Sequence, residues 1–283
     1  MSELEDEVAA ILAPLGGRTA VAARRAGRPA ARPLPVAGTE ERDNHNSRTT
    51  GAPPMDVALR ADEVFPAASL AKIPIAIELM RRVDMGQFEL DERMDTAAVP
   101  RAGGGGVLDY LDPATRLSLA ELCTLMLIVS DNTASNVLLD LVGMGEVNET
   151  LNRLNLPHTR LARHFMDAEA RRARRENLTT AADMLALMEL IRGNALPGGR
   201  RLRETLAAQQ SFSEFIEGWL PAGATLAHKD GTLEGVIHDT GILSGPNGAG
   251  VYCVLTSDQD EIPTARAAIG RIVRTLWNGW RLG

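Results

Sequence analysis

Lys72 stands three residues after Ser69 in the stretch FPAASLAKIPIAIELM (65–80), and Lys229 is the only other lysine of the chain. Of the 30 residues counted as Lys or Arg, the other 28 are arginine. A guanidinium stays protonated in proteins, whereas a lysine amine gives up its proton when it is desolvated or set beside another cation. A site that needs a proton-accepting amine cannot use arginine in its place. Ser69 and Lys72 at i and i+3 share one face of a helix, which pairs a hydroxyl nucleophile with a candidate base. Ser69 near the start of that helix would also lie close to unpaired backbone N–H groups, which favour negative charge.

Two more short motifs follow. Ser130-Asp131-Asn132 reads as a turn between two helices, 61 residues after Ser69, and Lys229-Asp230-Gly231 lies on a late strand, 99 residues after Ser130. Together with Ser69-Leu70-Ala71-Lys72, their order and spacing resemble the penicillin-recognising serine hydrolases, and most of all the class A β-lactamases with their SxxK, SDN and KTG motifs. The resemblance runs over nearly the whole chain. It implies an acyl-enzyme formed on Ser69, with Lys72 made less basic by burial and by Lys229 nearby. It also implies an oxyanion hole from the backbone N–H groups of Ser69 and Thr232. Ser130 would pass a proton to the leaving nitrogen, Lys229 would hold Ser130 and attract a substrate anion, and Asn132 would bind the acyl side-chain amide.

The chain departs from that family at two points. Asp230 stands between Lys229 and Gly231, where the family has a hydroxyl residue facing the substrate carboxylate. A carboxylate there would repel an anionic substrate and partly neutralise Lys229, leaving Thr232 as the alternative hydroxyl. Second, matching Leu161-Ala162-Arg163 to the family's later loop puts Phe165 where the family has the glutamate that activates the deacylating water. Asp167 and Glu169 are the nearest carboxylates, and the longer reach of Glu169 makes it the preferred general base. Without a base, acylation would proceed and release would be slow.

The other chemistry-bearing residues point elsewhere. His228 and His238 have no metal-ligand company and no GxSxG elbow, and no CxxC, HExxH or GxGxxG occurs, so no metal and no cofactor is expected. Arg171, Arg172, Arg174 and Arg175 read as a solvated face pairing with Glu169 and Glu176. Cys123 and Cys253 sit in apolar segments and read as two buried thiols. A net charge of −7 and 4% aromatic residues disfavour nucleic acid as a partner, and the resemblance implies a small-molecule substrate, a β-lactam, amide or ester. The acidic start MSELEDEVAAILAPLGG lacks the basic and apolar regions of a signal peptide, and no run is long enough to span a membrane, so a cytoplasmic protein without membrane attachment is expected.

The elements that must position these residues can be read from period and punctuation. Ser2 with Glu5 is a capping box opening an amphipathic helix that carries Leu4, Val8, Ile11, Leu12 and Leu15. Strands are predicted at 19–25 and 55–61, with a long loop or insertion at 27–54. Ser118 and Glu121 cap a helix to about Val129, with Leu117 and Leu122 as its hydrophobic staple, and a second helix ends near Gly143. Gly103 to Gly106 precede them as a gate or a turn. Residues 180–192 form a helix ended by Gly193. Strands around Pro246-Asn247-Gly248 form a hairpin, 225–232 is the strand before it, and Ile269, Ile272, Val273, Leu276 and Trp277 mark a closing helix.

The prediction is an α+β fold: one antiparallel sheet built from both termini and flanked by helices, with an inserted all-helical subdomain, of β-lactamase/transpeptidase type. The expected division is 1–65 with 207–283 for the sheet domain and 66–206 for the helical one, with the active site between them. The expected function is a serine hydrolase opening a β-lactam or related cyclic amide. A carboxylesterase or peptidase on the same scaffold is one alternative, and a binding protein that is acylated without turnover is another.

Overall fold

The computed structural model describes residues 2–27, 55–211 and 216–283. Beyond Gly27, the segment expected as a loop or insertion lies outside the described residues.

Helix α1 (Glu3–Leu12) is capped by Ser2, whose hydroxyl accepts the Glu5 N–H. The reciprocal half of the predicted box is absent, because Glu5 Oε1 instead accepts the N–H of Ala58 and so ties α1 to the sheet. Strands β1 (Arg18–Arg25) and β2 (Val57–Leu59) pair antiparallel, Val21 opposite Leu59. The short strand β3 (Phe65–Pro66) leads into a 3₁₀ turn, Ala68–Ala71, and then into α2 (Lys72–Asp84). Strands β4 (Arg93–Asp95) and β5 (Arg116–Ser118) form a small ribbon before α3 (Leu119–Ile128), α4 (Asn132–Val142), α5 (Met144–Arg153) and α6 (Ala168–Arg172). Strand β6 (Leu178–Thr179) pairs with β3, and α7 (Ala181–Arg192) and α8 (Gly199–Ala207) follow. Strands β7 (Thr225–Leu233), β8 (Val236–Gly245) and β9 (Gly248–Ser257) and the C-terminal helix Ile262–Trp280 complete the chain.

The main sheet has the order β2-β1-β9-β8-β7, with every pairing antiparallel, so the two ends of the chain do build one sheet. The predicted hairpin turns at Pro246 and Asn247, with Gly245 paired to Gly248. Side chains alternate along the strands. Ala20, Ala22, Ala227, Ile242, Val251, Cys253 and Leu255 join the core shared with the middle helices. Val21, Ala23, Leu226, Leu243, Tyr252 and Val254 join a second core under α1 and the C-terminal helix. A sheet covered on both faces explains strands that read as near-continuous apolar runs. Both cysteines are buried free thiols.

The helical middle follows its caps. Ser118 and Glu121 form the full capping box, and Leu117 packs against the core that contains Leu122. Thr180 caps α7, but Gly193 closes it in a right-handed conformation, φ −76°, so no left-handed glycine turn ends that helix. Helix α2 is tied to α5 through buried Glu78, whose carboxylate accepts from Arg81, Arg82 and the Thr150 hydroxyl. Burial alone would raise the Glu78 pKa, yet these hydrogen bonds hold it below the ordinary glutamate value.

Candidate active site

The expected helix does not begin at Ser69. Ser69 lies in the 3₁₀ turn Ala68–Ala71, and α2 starts at Lys72. Pro74 accounts for this, since it has no N–H to donate to the carbonyl of Leu70, and the first turn tightens instead. Pro74 is the third residue of α2, where a missing N–H is tolerated.

The turn borders a cavity of about 450 Å³ between β7, the turn after α3 and the loop before α6. That volume suits a small molecule. Ser69, Ser130, Asn132, Asp230 and Thr232 all line it. Ser130 holds a left-handed backbone (φ 55°), and so do Ala68 (φ 47°) and Met166 (φ 62°), which also line the cavity. Left-handed non-glycine residues gathered round one cavity mark a constrained site.

Lys72 is fully buried at the base of this site. Its Nζ lies 2.6 Å from Ser130 O, 2.9 Å from Ser130 Oγ and 2.8 Å from Asn132 Oδ1. Burial first, and then the Lys229 charge, push the amine well below the ordinary lysine pKa, against the smaller opposing pull of Asp230 and Asp131. A neutral amine has two N–H donors and one lone pair. Two of these three oxygens can take its two donors, leaving the lone pair for a hydroxyl proton.

Two predicted contacts differ in the structure. Lys72 was expected to reach the Ser69 hydroxyl, but its partners are Ser130 and Asn132, and the Ser69 side chain makes no hydrogen bond among the described residues. A buried amine takes the nearest fixed acceptors, and catalytic hydrogen bonds often close only on a bound substrate. Lys229 was expected to hold Ser130 and meet a substrate anion. It is fully buried and donates to the Asp230 carbonyl at 2.9 Å and to Asp230 Oδ1 at 2.7 Å. The carboxylate next in sequence has captured it.

Gly231 answers to the close approach of β7 to the turn that carries Ser69. A Cβ there would lie 3.2 Å from the Ser69 nitrogen and 3.2 Å from Ala68 Cβ. Asn132 lines the cavity with one Nδ2 hydrogen donated to Gly103 O at 2.9 Å and Oδ1 facing Lys72, which leaves its second N–H unspent. Asp131 caps α4 through Ala134 N, and its other oxygen accepts the N–H groups of Val107 and Leu108. The glycine run is therefore pinned to the motif; Gly104 and Gly105 line the cavity, and a Cβ on Gly106 would meet the Asp131 carboxylate at 2.5 Å.

The candidate general bases sit differently from expectation. Glu169 is exposed on α6 and is not among the residues that line the cavity. Asp167 does line the cavity, with one carboxylate oxygen capping Ala170 N at 2.8 Å. Phe165 is buried in the wall, with its ring centroid 4.8 Å from Lys72 Nζ. The Asn136 side chain fixes it, Oδ1 accepting the Phe165 N–H at 2.9 Å and Nδ2 donating to the Phe165 carbonyl at 3.1 Å.

Sequence reading missed Asn136, Asn177, Gln209 and the Arg163–Glu176 pair at 2.6 Å, which together brace the loop and the cavity. Polar residues of these types carry no spacing signal. Arg171, read as part of a solvated face, is exposed and also lines the cavity, 4.0 Å from Glu176.

The comparisons with known proteins agree on one scaffold. Residues 45–280 match the model of a family described as the β-lactamase enzyme family. The chain is 28% identical to a β-lactamase of Streptomyces cellulosae over 89% of this chain and 85% of that one. It is 24% identical to a β-lactamase regulatory protein of Streptomyces cacaoi, over 78% and 87%. The solved structure of a β-lactamase from Sphaerobacter thermophilus superposes with a TM-score of 0.81 at 27% identity, covering 99% of this chain and 97% of the other.

Proposed function

The chain belongs to the β-lactamase enzyme family, as a serine hydrolase, and from that premise we propose that it opens a β-lactam or related cyclic amide through an acyl-enzyme on Ser69 and releases the product slowly. The observation that carries this reading is the buried amine of Lys72, bonded to the Ser130 hydroxyl beside a cavity that exposes Ser69. When substrate settles, the Ser69 proton moves to the Lys72 amine and Oγ attacks the carbonyl carbon. The backbone N–H groups of Ser69 and Thr232 receive the oxyanion, and Gly231 permits that approach. The carbon–nitrogen bond then breaks as Ser130 gives its proton to the leaving nitrogen, and the Lys72 ammonium returns one to Ser130. The result is an ester on Ser69 and a neutral amine at Lys72.

Release needs an activated water, and the ring of Phe165 occupies the place beside Lys72 where a carboxylate would act. A missing general base slows such a step by about 10² to 10⁴-fold. A chromogenic β-lactam mixed with the protein should therefore give a burst close to one equivalent followed by a slow steady rate. Intact-mass measurement should find the adduct on the protein and lose it in Ser69→Ala. Absence of the adduct with β-lactams, but its presence with p-nitrophenyl esters, would move the reading to an esterase. A second reading, a binding protein acylated without turnover, draws support from Phe165 and from the regulatory relative; a burst with no steady rate at all would select it.

A further inference from the structure

Lys229 and Asp230 make the β7 wall of the cavity electrically unlike one built to hold an anion. The ammonium of Lys229 is fully buried and donates to the Asp230 carbonyl and to Asp230 Oδ1. Asp230 is itself in the lining. Its Oδ1 also accepts from Gln209 Nε2 at 3.0 Å. Gln209, only 3% exposed, cannot turn its amide over, because Oε1 accepts the N–H groups of Gln210 and Ser211 at 3.0 and 3.2 Å. Two neighbours thus hold the carboxylate at the edge of the cavity, between the buried cation and any ligand. The guanidiniums of the lining, Arg163 and Arg171, come from the loop before α6 and from α6 rather than from β7, and Arg163 is locked to Glu176.

We propose that the β7 wall selects against a carboxylate, so that the substrate group lying along Asp230 is uncharged or cationic. The proposal names the substrate class of the site described above and rests on that reading for where the reacting carbonyl sits. An anion placed along β7 would approach a fixed carboxylate while the nearest ammonium is already paired. Discrimination of this kind comes from the repulsive element as much as from any attraction. Thr232, exposed at the same rim, offers a hydroxyl that suits an uncharged acceptor or donor.

The test compares a chromogenic β-lactam carrying its ring carboxylate with the methyl ester of the same compound. Acylation of the full-length protein is followed by intact mass, and binding to the Ser69→Ala variant is followed calorimetrically, so that charge selection is read with and without acylation. The ester is expected to acylate and to bind at least roughly tenfold better than the acid, with Asp230→Asn narrowing the gap to about threefold and high salt narrowing it in the wild type. An acid that reacts and binds as well as its ester, or a ratio unchanged in Asp230→Asn, overturns the proposal. No adduct from either compound, with the ester still preferred by Ser69→Ala, supports charge selection and overturns the acylation reading. Binding of neither compound overturns both.

Discussion

In the proposed acylation Lys72 is the residue on which the chemistry turns, because its burial sets the protonation state that a base requires. Burial first and then Lys229 lower its pKa, and Asp230 raises it. The acylation rate should therefore rise with pH along a limb well to the acid side of an ordinary lysine. Removing the opposing charge in Asp230→Asn should move that limb to lower pH, which a pH series of burst rates would show; a limb that stays in place would mean that another group is titrating. Phe165→Glu sets a carboxylate beside the same amine. It should raise the steady rate after the burst by at least about tenfold, and slow the burst itself, because the new charge makes Lys72 more basic. A burst and steady rate both unchanged would remove Phe165 from the account of slow release.

At the scale of elements, the site depends on how closely strand β7 approaches the 3₁₀ turn that carries Ser69. Gly231→Ala inserts a methyl group 3.2 Å from the Ser69 nitrogen, closer than most Cβ contacts, and must part the two by a few tenths of an ångström. The expected outcome is a fall of about 10²-fold in acylation rate with the circular dichroism spectrum retained, since small misplacements at a reacting centre are costly. Acylation at the wild-type rate would show that β7 contributes no oxyanion donor. Asp131 plays a comparable part on the facing wall, where one buried carboxylate both caps α4 and gathers the backbone after the glycine run.

For the molecule as a whole, the sheet and the segment leading to Ser69 meet at His238 of β8. Its Nε2–H donates to Pro66 O at 2.7 Å, and its Nδ1 accepts the Thr256 N–H at 3.1 Å, so the folded protein needs the neutral ring. Burial pushes its pKa down to about 4, against about 6.5 in an unfolded chain. Between those values the unfolded state binds the proton that the folded state refuses. Stability contributed here is complete above pH 6.5 and falls as pH drops towards 4, by about 3 kcal/mol over the 2.5-unit window. His238→Gln keeps a donor and an acceptor without the titration, and urea midpoints at pH 7 and 4.5 should lie closer together than in the wild type. Parallel losses in both proteins would place the acid sensitivity elsewhere.

Much of this protein was legible before any coordinates. Caps such as Ser118 with Glu121, the hairpin at Pro246 and Asn247, and the alternation of the last strands act over a few residues, so local physical chemistry specifies them. The scarcity of lysine and the spacing of three motifs were enough to assemble Ser69, Lys72, Ser130, Asn132 and Lys229 near one cavity. What lay beyond reach was partner choice. Lys72 bonds to Ser130 rather than Ser69, Lys229 is held by Asp230, and Asp167 rather than Glu169 lines the cavity where Phe165 sits. Spacing along a chain says which groups share a neighbourhood. Which atom of a buried neighbourhood a charge will face depends on distances of an ångström or less between elements far apart in sequence, and only the packed tertiary structure sets those.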